Sequence, residues 1–465
     1  MTHYASIGGV RIQTWIARTG TKLSLVRGAS ILLSQETANT RITAWLAGSG
    51  VRNVSVADEA GDVDGVVVLR SDDEEALRAT AEKLIVHLEE RIPGLAWEGW
   101  LAEGEAYLDA YDAHDATAPM FRSLPPLPEL GLVRTCDYCG TEPATQELRI
   151  GDDVGHAGPS CRKRKQARDN QQRQARGALW SDVPGTWPET FDDLARRGGV
   201  SAQADQAVGR KDSRGHLATV AADGNGIGAL FHAISTLGLD DLRKEAVKAL
   251  NATTRNALST AARACADDCD VKVVIPHYVG GDDVFASVAA PAIWTFAVNL
   301  GRGFEDLRTS LLELVPKGRS DTTDLKAAIN RLGLGIGVAL AGRSEPISTT
   351  REAAHVALAK AKAATSGGES AIGWVDLTAD AHTSHVVKVS EVEAELTDLN
   401  SVFRLPASAR ASLAAVVRSD PHDLPSAVDR WASRTGNSVP PEMVTALPAT
   451  LSRARWWPNL PEETR

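Results

Sequence analysis

Acidic residues stand at two places in the sequence, each beside an apolar segment that has strand character. Asp282 and Asp283 follow two glycines in the segment 278–285, and Asp223 follows the apolar segment 217–222. Carboxylate oxygens, together with substrate phosphates, are the ligands that Mg²⁺ prefers in proteins. If the two strands are neighbours, the three carboxylates converge on one place. They could then hold the metal ions that nucleotidyl transfer requires.

A β-hairpin is predicted to carry the paired acids. Residues 272–279 are rich in β-branched side chains, and residues 283–289 alternate well enough to pair with them. Gly280 and Gly281 between these segments supply the positive φ angles of a two-residue hairpin turn. The sequence therefore predicts Asp282 and Asp283 at the tip of a hairpin.

A second strand is predicted to carry Asp223. Residues 217–222 indicate a short buried strand and residues 226–231 open a helix, so Asp223 is expected at the carboxyl end of the strand. Gly224 has no Cβ and lets a carbonyl or phosphate oxygen approach a metal. The Gly-Gly-Asp-Asp tetrapeptide taken alone is typical of a solvated turn. The order strand, Asp-Gly, helix, strand, hairpin and strand favours catalysis instead.

The first part of the chain repeats this order of elements. Predicted strands at 4–8, 51–57, 65–70 and 95–101 alternate with predicted helices at 29–46 and 73–91. Both halves thus fit the ferredoxin-like βαββαβ pattern. The first copy lacks the chemistry, because its first strand ends in Gly8 and Gly9. Its hairpin region, 58–64, contains acids that either bind metal or, as is more common, lie in a solvated loop.

Cysteines mark a different segment between the two copies. After a proline-rich linker at 119–128, a Cys-x-x-Cys pair is followed by a His-x4-Cys pair. The candidate ligands are Cys136, Cys139, His156 and Cys161. Four such ligands close a tetrahedron around structural zinc. Asp152 or Asp153 are alternatives to His156 as the fourth ligand, and ordinary thiols or a redox pair are the alternatives to zinc.

A basic segment follows the last of these cysteines. Residues 162–176 contain repeated arginines and lysines with glutamines between them. Such a segment either contacts the phosphate backbone of a nucleic acid or forms a solvated helix. It contains no aromatic residues on which bases could stack.

Length and composition limit the class of protein. The chain has 465 residues, which predicts about three domains. No apolar run approaches the roughly 18 residues of a membrane span, and the N-terminus does not have the pattern of a signal peptide. We therefore expect a cytoplasmic protein with no membrane contact. The net charge of −10 argues against a surface that binds nucleic acid non-specifically throughout.

Together these motifs resemble the large Palm-domain subunit of type III CRISPR effector complexes, the CRISPR polymerase related to GGDEF cyclases. Besides the Gly-Gly-Asp-Asp hairpin, residues 332–340 and the helix ending in Ala361-Lys362 are similar to the family's strand and following helix. Residues 12–16, 22–23 and 26–33 look like its first Palm segment. The resemblance implies an α+β fold with two ferredoxin-like Palm domains, a zinc-binding insertion and a small C-terminal helical domain.

The resemblance also implies a division of the chain. Residues 1–118 form a degenerate first Palm that completes the nucleotide pocket, and residues 119–195 form the linker and zinc insertion. Residues 196–390 form the second Palm with the active site, and residues 391–465 form the helical domain. In that last domain, helices are expected at 407–417 and 426–433, and Trp456 and Trp457 are either an interface anchor or an internal cap. The family's HD nuclease domain is expected to be absent.

The implied activity is the synthesis of cyclic oligoadenylate from ATP, with Mg²⁺ or Mn²⁺, in antiviral defence. The implied catalytic and metal-binding residues are Asp223, Asp282 and Asp283, with the carbonyl group of Gly224 as a further metal ligand. The implied nucleotide-binding residues are Gly224, Asn225, Gly280, Gly281 and Lys362. Asn225 stands where the family often has a second acid, and its side-chain oxygen can still bind metal. The implied partners are other type III effector subunits, guide RNA and target RNA.

Two other functions remain open at this point. One is a non-catalytic scaffold that binds guide-RNA complexes or nucleotides. The other is a GGDEF-like enzyme that makes a cyclic dinucleotide from GTP. No residue in the sequence fixes the base preference or the ring size of the product.

Overall fold

The computed structural model describes most of the chain. The described segments are residues 1–19, 22–114, 119–123, 133–151, 153–174, 190–197, 215–265, 272–317, 321–365, 369–378, 380–392, 407–420 and 422–439, with the single residues 188, 319, 405, 441, 444 and 447. Trp456 and Trp457 lie outside the described residues. Within the described segments, no helix combines the length and apolar character needed to cross a membrane.

The first copy is a five-stranded antiparallel sheet with helices. Its strands are β1 (Thr2–Val10), β2 (Ser55–Val56), β3 (Val66–Ser71), β4 (Ala96–Gly104) and β5 (Phe121–Ser123). Its helices are α1 (Ile12–Ala17), α2 (Leu23–Thr37), α3 (Asn39–Gly48), α4 (Glu74–Arg91) and α5 (Tyr107–Ala113). The spatial order is β2-β3-β1-β4-β5. The first four strands have the ferredoxin-like order that the sequence predicts.

Alternation along β1 sorts its side chains between two layers. Ala5 and Ile7 are fully buried in the main core, whereas Tyr4 lies in a smaller cluster with Trp100 on the other face of the sheet. This is the period of two that an extended strand imposes. The helix predicted at 29–46 is two helices, because Ala38 has an extended backbone (φ −57°, ψ 136°) that ends α2 and starts α3.

The insertion packs mainly against the first copy, and its last helix contacts the second copy. It contains a hairpin of β6 (Gln146–Ile150) and β7 (Asp153–Ala157), then α6 (Pro159–Gln174) and α7 (Phe191–Arg197). Helix α6 packs on α2 at Gly28, where an added Cβ would overlap the backbone of Arg164. The lack of a side chain at Gly28 therefore allows these two helices to approach closely.

The second copy is a six-stranded sheet. Its strands are β8 (His216–Asn225), β9 (Val274–Gly280), β10 (Asp283–Ala289), β11 (Gly333–Gly342), β12 (Ala371–Asp376) and β13 (Asp380–Lys388). Its helices are α8 (Ile227–Thr236), α9 (Asp240–Ala264), α10 (Ile293–Leu314), α11 (Thr323–Asn330) and α12 (Ile347–Thr365). The order is β13-β12-β11-β8-β10-β9, so the ferredoxin-like four lie at one end. Strand β12 adds to β11 in parallel after the crossover helix α12.

Glycines let α12 lie directly on this sheet. An added Cβ at Gly337 would overlap the carbonyl oxygen of Ala354, and one at Gly373 would overlap that of Ala357. The helix is therefore held close to β11 and β12 along much of its length. This approach brings the C-terminal turn of α12 to the end of β8.

Two helices form the described part of the C-terminal region. They are α13 (Ala407–Ser419) and α14 (Leu424–Thr435), in agreement with the helices predicted at 407–417 and 426–433. Trp431 is buried between them and donates its indole N–H to the Ser412 hydroxyl at 2.8 Å. The α+β class with two ferredoxin-like sheets, expected from the sequence, is thus confirmed.

Candidate functional site

The Gly-Gly-Asp-Asp hairpin turns one residue later than the sequence predicts. Gly280 pairs with Asp283, so the two turn residues are Gly281 and Asp282. Gly281 has a φ of +61°, whereas Gly280 is the last residue of its strand and has no positive φ. Gly280 instead leaves room for Tyr278, whose hydroxyl an added Cβ would overlap. Asp282 therefore lies in the turn, and Asp283 opens the next strand.

Strand β8 also extends further than predicted, to Asn225, so Asp223 lies within the strand near its end. Val284 pairs with Ala222, which places Asp283 opposite Asp223 on neighbouring strands. An added Cβ at Gly224 would lie 2.7 Å from the Asp282 carboxylate oxygen Oδ2. The three acids are thus together at one edge of the sheet, and Gly224 makes room for one of them.

Lys362 joins these acids from helix α12. Its ammonium group forms an ion pair with the Asp223 carboxylate and donates to the Gly224 carbonyl oxygen at 3.4 Å. Its aliphatic stem crosses Gly335, where an added Cβ would lie 2.8 Å from Lys362 Cγ. Gly335 is the residue that pairs with Asp223 across the strands. The glycine therefore gives the lysine its path to the acid.

Burial and, after it, the crowding of negative charge raise the pKa values of the hairpin acids. Burial and then the charge of Asp223 raise the pKa of Asp282 to about 6. Burial, Asp223 and Asp282 raise the pKa of Asp283 to about 7, although Lys362 opposes the shift. Burial and like charge disfavour the ionised form of these carboxylates, and a divalent cation would stabilise that form. The donor set and the small Gly224 fit Mg²⁺ or Mn²⁺.

Asn225 links the end of β8 to the region that follows α12. It is buried, and its amide nitrogen lies 3.5 Å from both the Thr365 hydroxyl and the Glu369 carbonyl oxygen. Its side chain therefore ties the end of β8 to the end of α12. These contacts use the amide nitrogen, so metal binding by the side-chain oxygen of Asn225 stays a prediction.

The first copy reaches the site through α1, a contact that the sequence did not predict. His355 on α12 shares a hydrogen bond of 2.8 Å with Gln13, and Arg351 donates to the Thr14 hydroxyl at 3.1 Å. His355 and Lys362 lie seven residues apart and so on the same face of the helix. Burial lowers the pKa of His355, and the nearby charge of Asp223 opposes this. The two copies thus meet beside the carboxylates.

The insertion contains a candidate zinc centre. The ligand atoms of Cys136, Cys139, Glu142 and Cys161 all lie within 4.8 Å of one another. The sulfur atoms of Cys136 and Cys161 are 3.6 Å apart. A tetrahedron with zinc–sulfur distances of about 2.3 Å separates its sulfurs by roughly 3.8 Å, whereas a disulfide holds them at about 2.05 Å. The donors therefore fit zinc better than a disulfide.

Glu142, rather than the predicted His156, stands in the fourth position. Ala157 is buried with Cys136 and Cys161, so its strand neighbour His156 points to the opposite face of the hairpin. The His156 ring is 39% exposed, and its Nδ1 lies 3.8 Å from the Asp137 carboxylate. The alternative Asp153 forms an ion pair with Lys22. Asp152 lies outside the described residues.

Glu142 is fixed by the helix that follows the cluster. Its carboxylate accepts the backbone N–H groups of Ser160 at 3.1 Å and Cys161 at 3.3 Å, in the first turn of α6. Burial raises its pKa. The sequence signal was the repeated spacing of three, Cys136, Cys139 and Glu142, which a search limited to cysteine and histidine overlooks.

Part of the basic segment is structural. Arg164 is 1% exposed, donates to the carbonyl oxygens of Trp15 (2.8 Å) and Ile16 (3.3 Å), and lies over the Trp15 ring. Lys165 pairs with Asp169 at 2.5 Å. Arg164 thus binds the insertion to the end of α1 and is not accessible to a nucleic acid.

Comparisons with known proteins agree with this architecture. Residues 216–370 match the family model described as Cas10/Cmr2, second palm domain. None of the curated proteins compared with the chain matches it. The solved structures that do match share its fold over nearly its whole length, at low sequence identity.

Two of those structures illustrate the similarity. Csm1 from T. onnurineus is 13% identical with a TM-score of 0.55, over 97% of this chain and 69% of that one. A Csm1–Csm4 cassette in complex with AMPPNP matches with 14% identity and a TM-score of 0.56, over 98% of this chain and 67% of that one. At such identity the likeness shows the fold, and the family match covers the segment that carries the acids. Residues 216–370 are therefore similar to the second palm domain of the Cas10/Cmr2 family, and the chain as a whole has the fold of Csm1.

Proposed function

We propose that the chain is a Mg²⁺- or Mn²⁺-dependent nucleotidyltransferase that converts ATP into cyclic oligoadenylate in type III CRISPR antiviral defence. The observation that carries the proposal is the convergence of Asp223, Asp282 and Asp283 beside Lys362 at one edge of the second sheet. Structures of similar fold contain AMPPNP, pppApA or cA4. These ligands of the Csm1–Csm4 cassette support ATP as the substrate here.

Each residue of the site has a role in this proposal. The three carboxylates and the carbonyl group of Gly224 would hold the divalent cations. When bound, Mg²⁺ would neutralise the triphosphate and align the attacking and leaving oxygens. Lys362 would exchange part of its contact with Asp223 for a phosphate oxygen. Gly281 presents no side chain to a nucleotide that approaches the turn. Positioning and electrostatic stabilisation carry the rate in phosphoryl-transfer sites of this kind.

The first copy would complete the pocket. The contact of Gln13 with His355 places α1 beside the face of α12 that ends in Lys362. A nucleotide bound at the carboxylates would therefore meet both copies. This supports the division into a catalytic copy and a degenerate one.

Zinc and the partners are separate parts of the proposal. We assign structural zinc to Cys136, Cys139, Glu142 and Cys161, where it would cross-link a segment with little core of its own. We further infer that the chain acts in the cytoplasm with other type III subunits, guide RNA and target RNA. A structure of similar fold is a Csm1–Csm4 subcomplex of the type III-A Csm interference complex, which supports such partners.

A product assay tests the activity. Purified protein is incubated with labelled ATP or GTP and Mg²⁺ or Mn²⁺, with and without target RNA and partner subunits. The expected result is cyclic oligoadenylate from the wild type and none from the Asp282→Ala, Asp283→Ala double variant. A cyclic dinucleotide made from GTP would support the GGDEF-like alternative. No product from any nucleotide, with folded protein and all partners present, would reject catalysis and leave a scaffold.

A further inference from the structure

One face of helix α9 contacts the hairpin regions of both copies. Val247, Asn251 and Arg255 are four residues apart and so lie in one row along the helix. An added Cβ at Gly61, in the hairpin region of the first copy, would lie 3.3 Å from Val247 Cγ1. In the middle of the row, the Asn251 side-chain oxygen accepts the backbone N–H of Gly281, the first residue of the catalytic turn, at 3.2 Å.

The end of this row faces the loop of the first copy. The positive charge of Arg255 acts on the carboxyl group of Asp64. Burial raises the pKa of that group, and the charge of Arg255 partly opposes the shift. The backbone carbonyl oxygen of Asp64 in turn accepts the Tyr278 hydroxyl at 3.5 Å. Tyr278 lies across Gly280 on the catalytic hairpin. The turn is thus contacted by α9 and, through Tyr278, by the degenerate copy.

The backbone N–H of Gly281 lies in the turn, where strand pairing gives it no acceptor. Gly280 and Asp283 are the last paired residues of the hairpin, so the amide of Gly281 lies outside the ladder. Its orientation is therefore set by the Asn251 contact and not by strand pairing. Asp282 follows directly in the chain, so rotation of the Gly281 peptide group moves the Asp282 carboxylate.

We propose that Asn251 is a positioning residue, which fixes the Gly281–Asp282 turn and thereby holds the Asp282 carboxylate where metal binding requires it. The inference rests on the proposed function only in so far as that site binds a divalent cation. A displacement of about 1 Å at a reacting centre lowers the rate on the order of 10²-fold. The loss of one hydrogen bond to this turn is therefore expected to change the reaction rate. Sequence inspection overlooks Asn251 because it lies on a helix about thirty residues before the turn.

The test measures Mn²⁺ binding in the presence of a non-hydrolysable ATP analogue, by electron paramagnetic resonance, alongside product formation. We expect Asn251→Ala to raise the half-saturating Mn²⁺ concentration about tenfold, because the variant loses one hydrogen bond to the turn. Asn251→Asp keeps an acceptor oxygen at the same position and should stay within about threefold of the wild type by the same arithmetic. Asn256→Ala is the matched control, because Asn256 is an exposed asparagine on the same helix.

The outcomes separate this inference from the proposed function. Weaker Mn²⁺ binding by Asn251→Ala, with the melting temperature and the Asn256→Ala control unchanged, supports it even if the wild type makes no product. Equal Mn²⁺ binding by the two alanine variants overturns it. Tighter nucleotide binding by Asn251→Ala also overturns it, since the amide of Gly281 would then be a phosphate ligand that Asn251 blocks.

Discussion

The two copies share a strand order but differ at the two positions where the second sheet brings Asp223 and Asp283 together. In the first sheet Gly8 pairs with Val66, the first residue of the second hairpin strand. In the second sheet the same register places Asp223 opposite Asp283. Gly8 and Val66 thus stand where the second copy has two carboxylates. The shared fold supplies the positions, and only the second copy has acids in them.

The link between the hairpin strands differs as well. The second copy joins them through the short turn at Gly281, whereas the first copy uses residues 57–65. Asp58 and Asp62 in that longer link are exposed, and Glu59 pairs with Arg70 at 3.1 Å. Within the described residues, the first sheet also has no counterpart of α12 and its lysine. The cluster of carboxylates and lysine in the second copy therefore depends on the tight turn and the added crossover helix in addition to the shared fold.

The largest effect on this comparison should come from Gly224→Ala. The added methyl group would lie 2.7 Å from the Asp282 carboxylate and 2.7 Å from Ile227 Cγ1, so it displaces the acid. We expect product formation to fall by about 10²-fold, as for an active-site displacement near 1 Å. Gly8→Ala in the first copy is the matched control, because its nearest neighbour lies 3.9 Å away. Equal losses in the two variants would show that the copies do not differ in function.

Removal of the lysine should have the next largest effect. Lys362→Met keeps the stem over Gly335 and deletes the charge beside Asp223. One charge-assisted contact contributes about 2 kcal/mol, which corresponds to a loss of about 30-fold in kcat/KM for ATP. Lys360→Met, on the same helix and exposed, serves as the control. A Lys362→Met enzyme with wild-type kinetics would assign the lysine to structure alone.

Acidification should weaken metal binding at the second copy over a defined pH range. The raised pKa values of Asp282, about 6, and Asp283, about 7, mean that these groups take up protons as the pH falls from above 7 towards 5. Protons then compete with the cation, so the half-saturating Mg²⁺ concentration should rise by up to about tenfold per pH unit for each proton displaced. Ordinary aspartates, with pKa values near 3.9, would give no such dependence there.

Titration with Mg²⁺ at pH 5.5, 6.5 and 7.5 measures this effect. The Asp283→Asn variant should show a flatter dependence, because one of the two groups with a raised pKa is gone. A half-saturating concentration that is constant over this range in the wild type would contradict the account of crowded carboxylates.

The smallest effect on chemistry should come from the zinc ligands. Glu142→Ala should lower zinc affinity and the melting temperature, because one ligand and the contacts to the first turn of α6 are lost. His156→Ala should retain zinc, since its ring lies on the other face of the hairpin. Zinc content by mass spectrometry and thermal unfolding give the readouts. Zinc loss in His156→Ala, with none in Glu142→Ala, would restore the ligand set expected from the sequence.

Sequence patterns predicted the strands well, because alternation and β-branched residues report directly on burial. The two ferredoxin-like orders and the adjacency of the strands that carry Asp223 and Asp283 follow from such patterns. Turn register was predicted one residue too early. Gly280 has no positive φ angle, and its lack of a side chain makes room for the Tyr278 ring. The sequence does not show this packing.

Contacts between distant segments were the part that the sequence did not reveal. Glu142 replaces His156 because the face of β7 is decided by the packing of Ala157 against the cysteines. Gln13 meets His355 across more than 300 residues of chain. Arg164 binds backbone carbonyl oxygens of α1, although its segment has the composition of a nucleic-acid contact. In each case tertiary packing determines which of several chemically suitable residues is used.

The most direct test of the difference between the copies is a crystal structure with Mn²⁺ and a non-hydrolysable ATP analogue, in which anomalous scattering locates the metal. We expect manganese bound by Asp223, Asp282 and Asp283, with none at residues 57–66 of the first copy. Manganese in the loop of the first copy, or an empty carboxylate site with the nucleotide bound elsewhere, would contradict it.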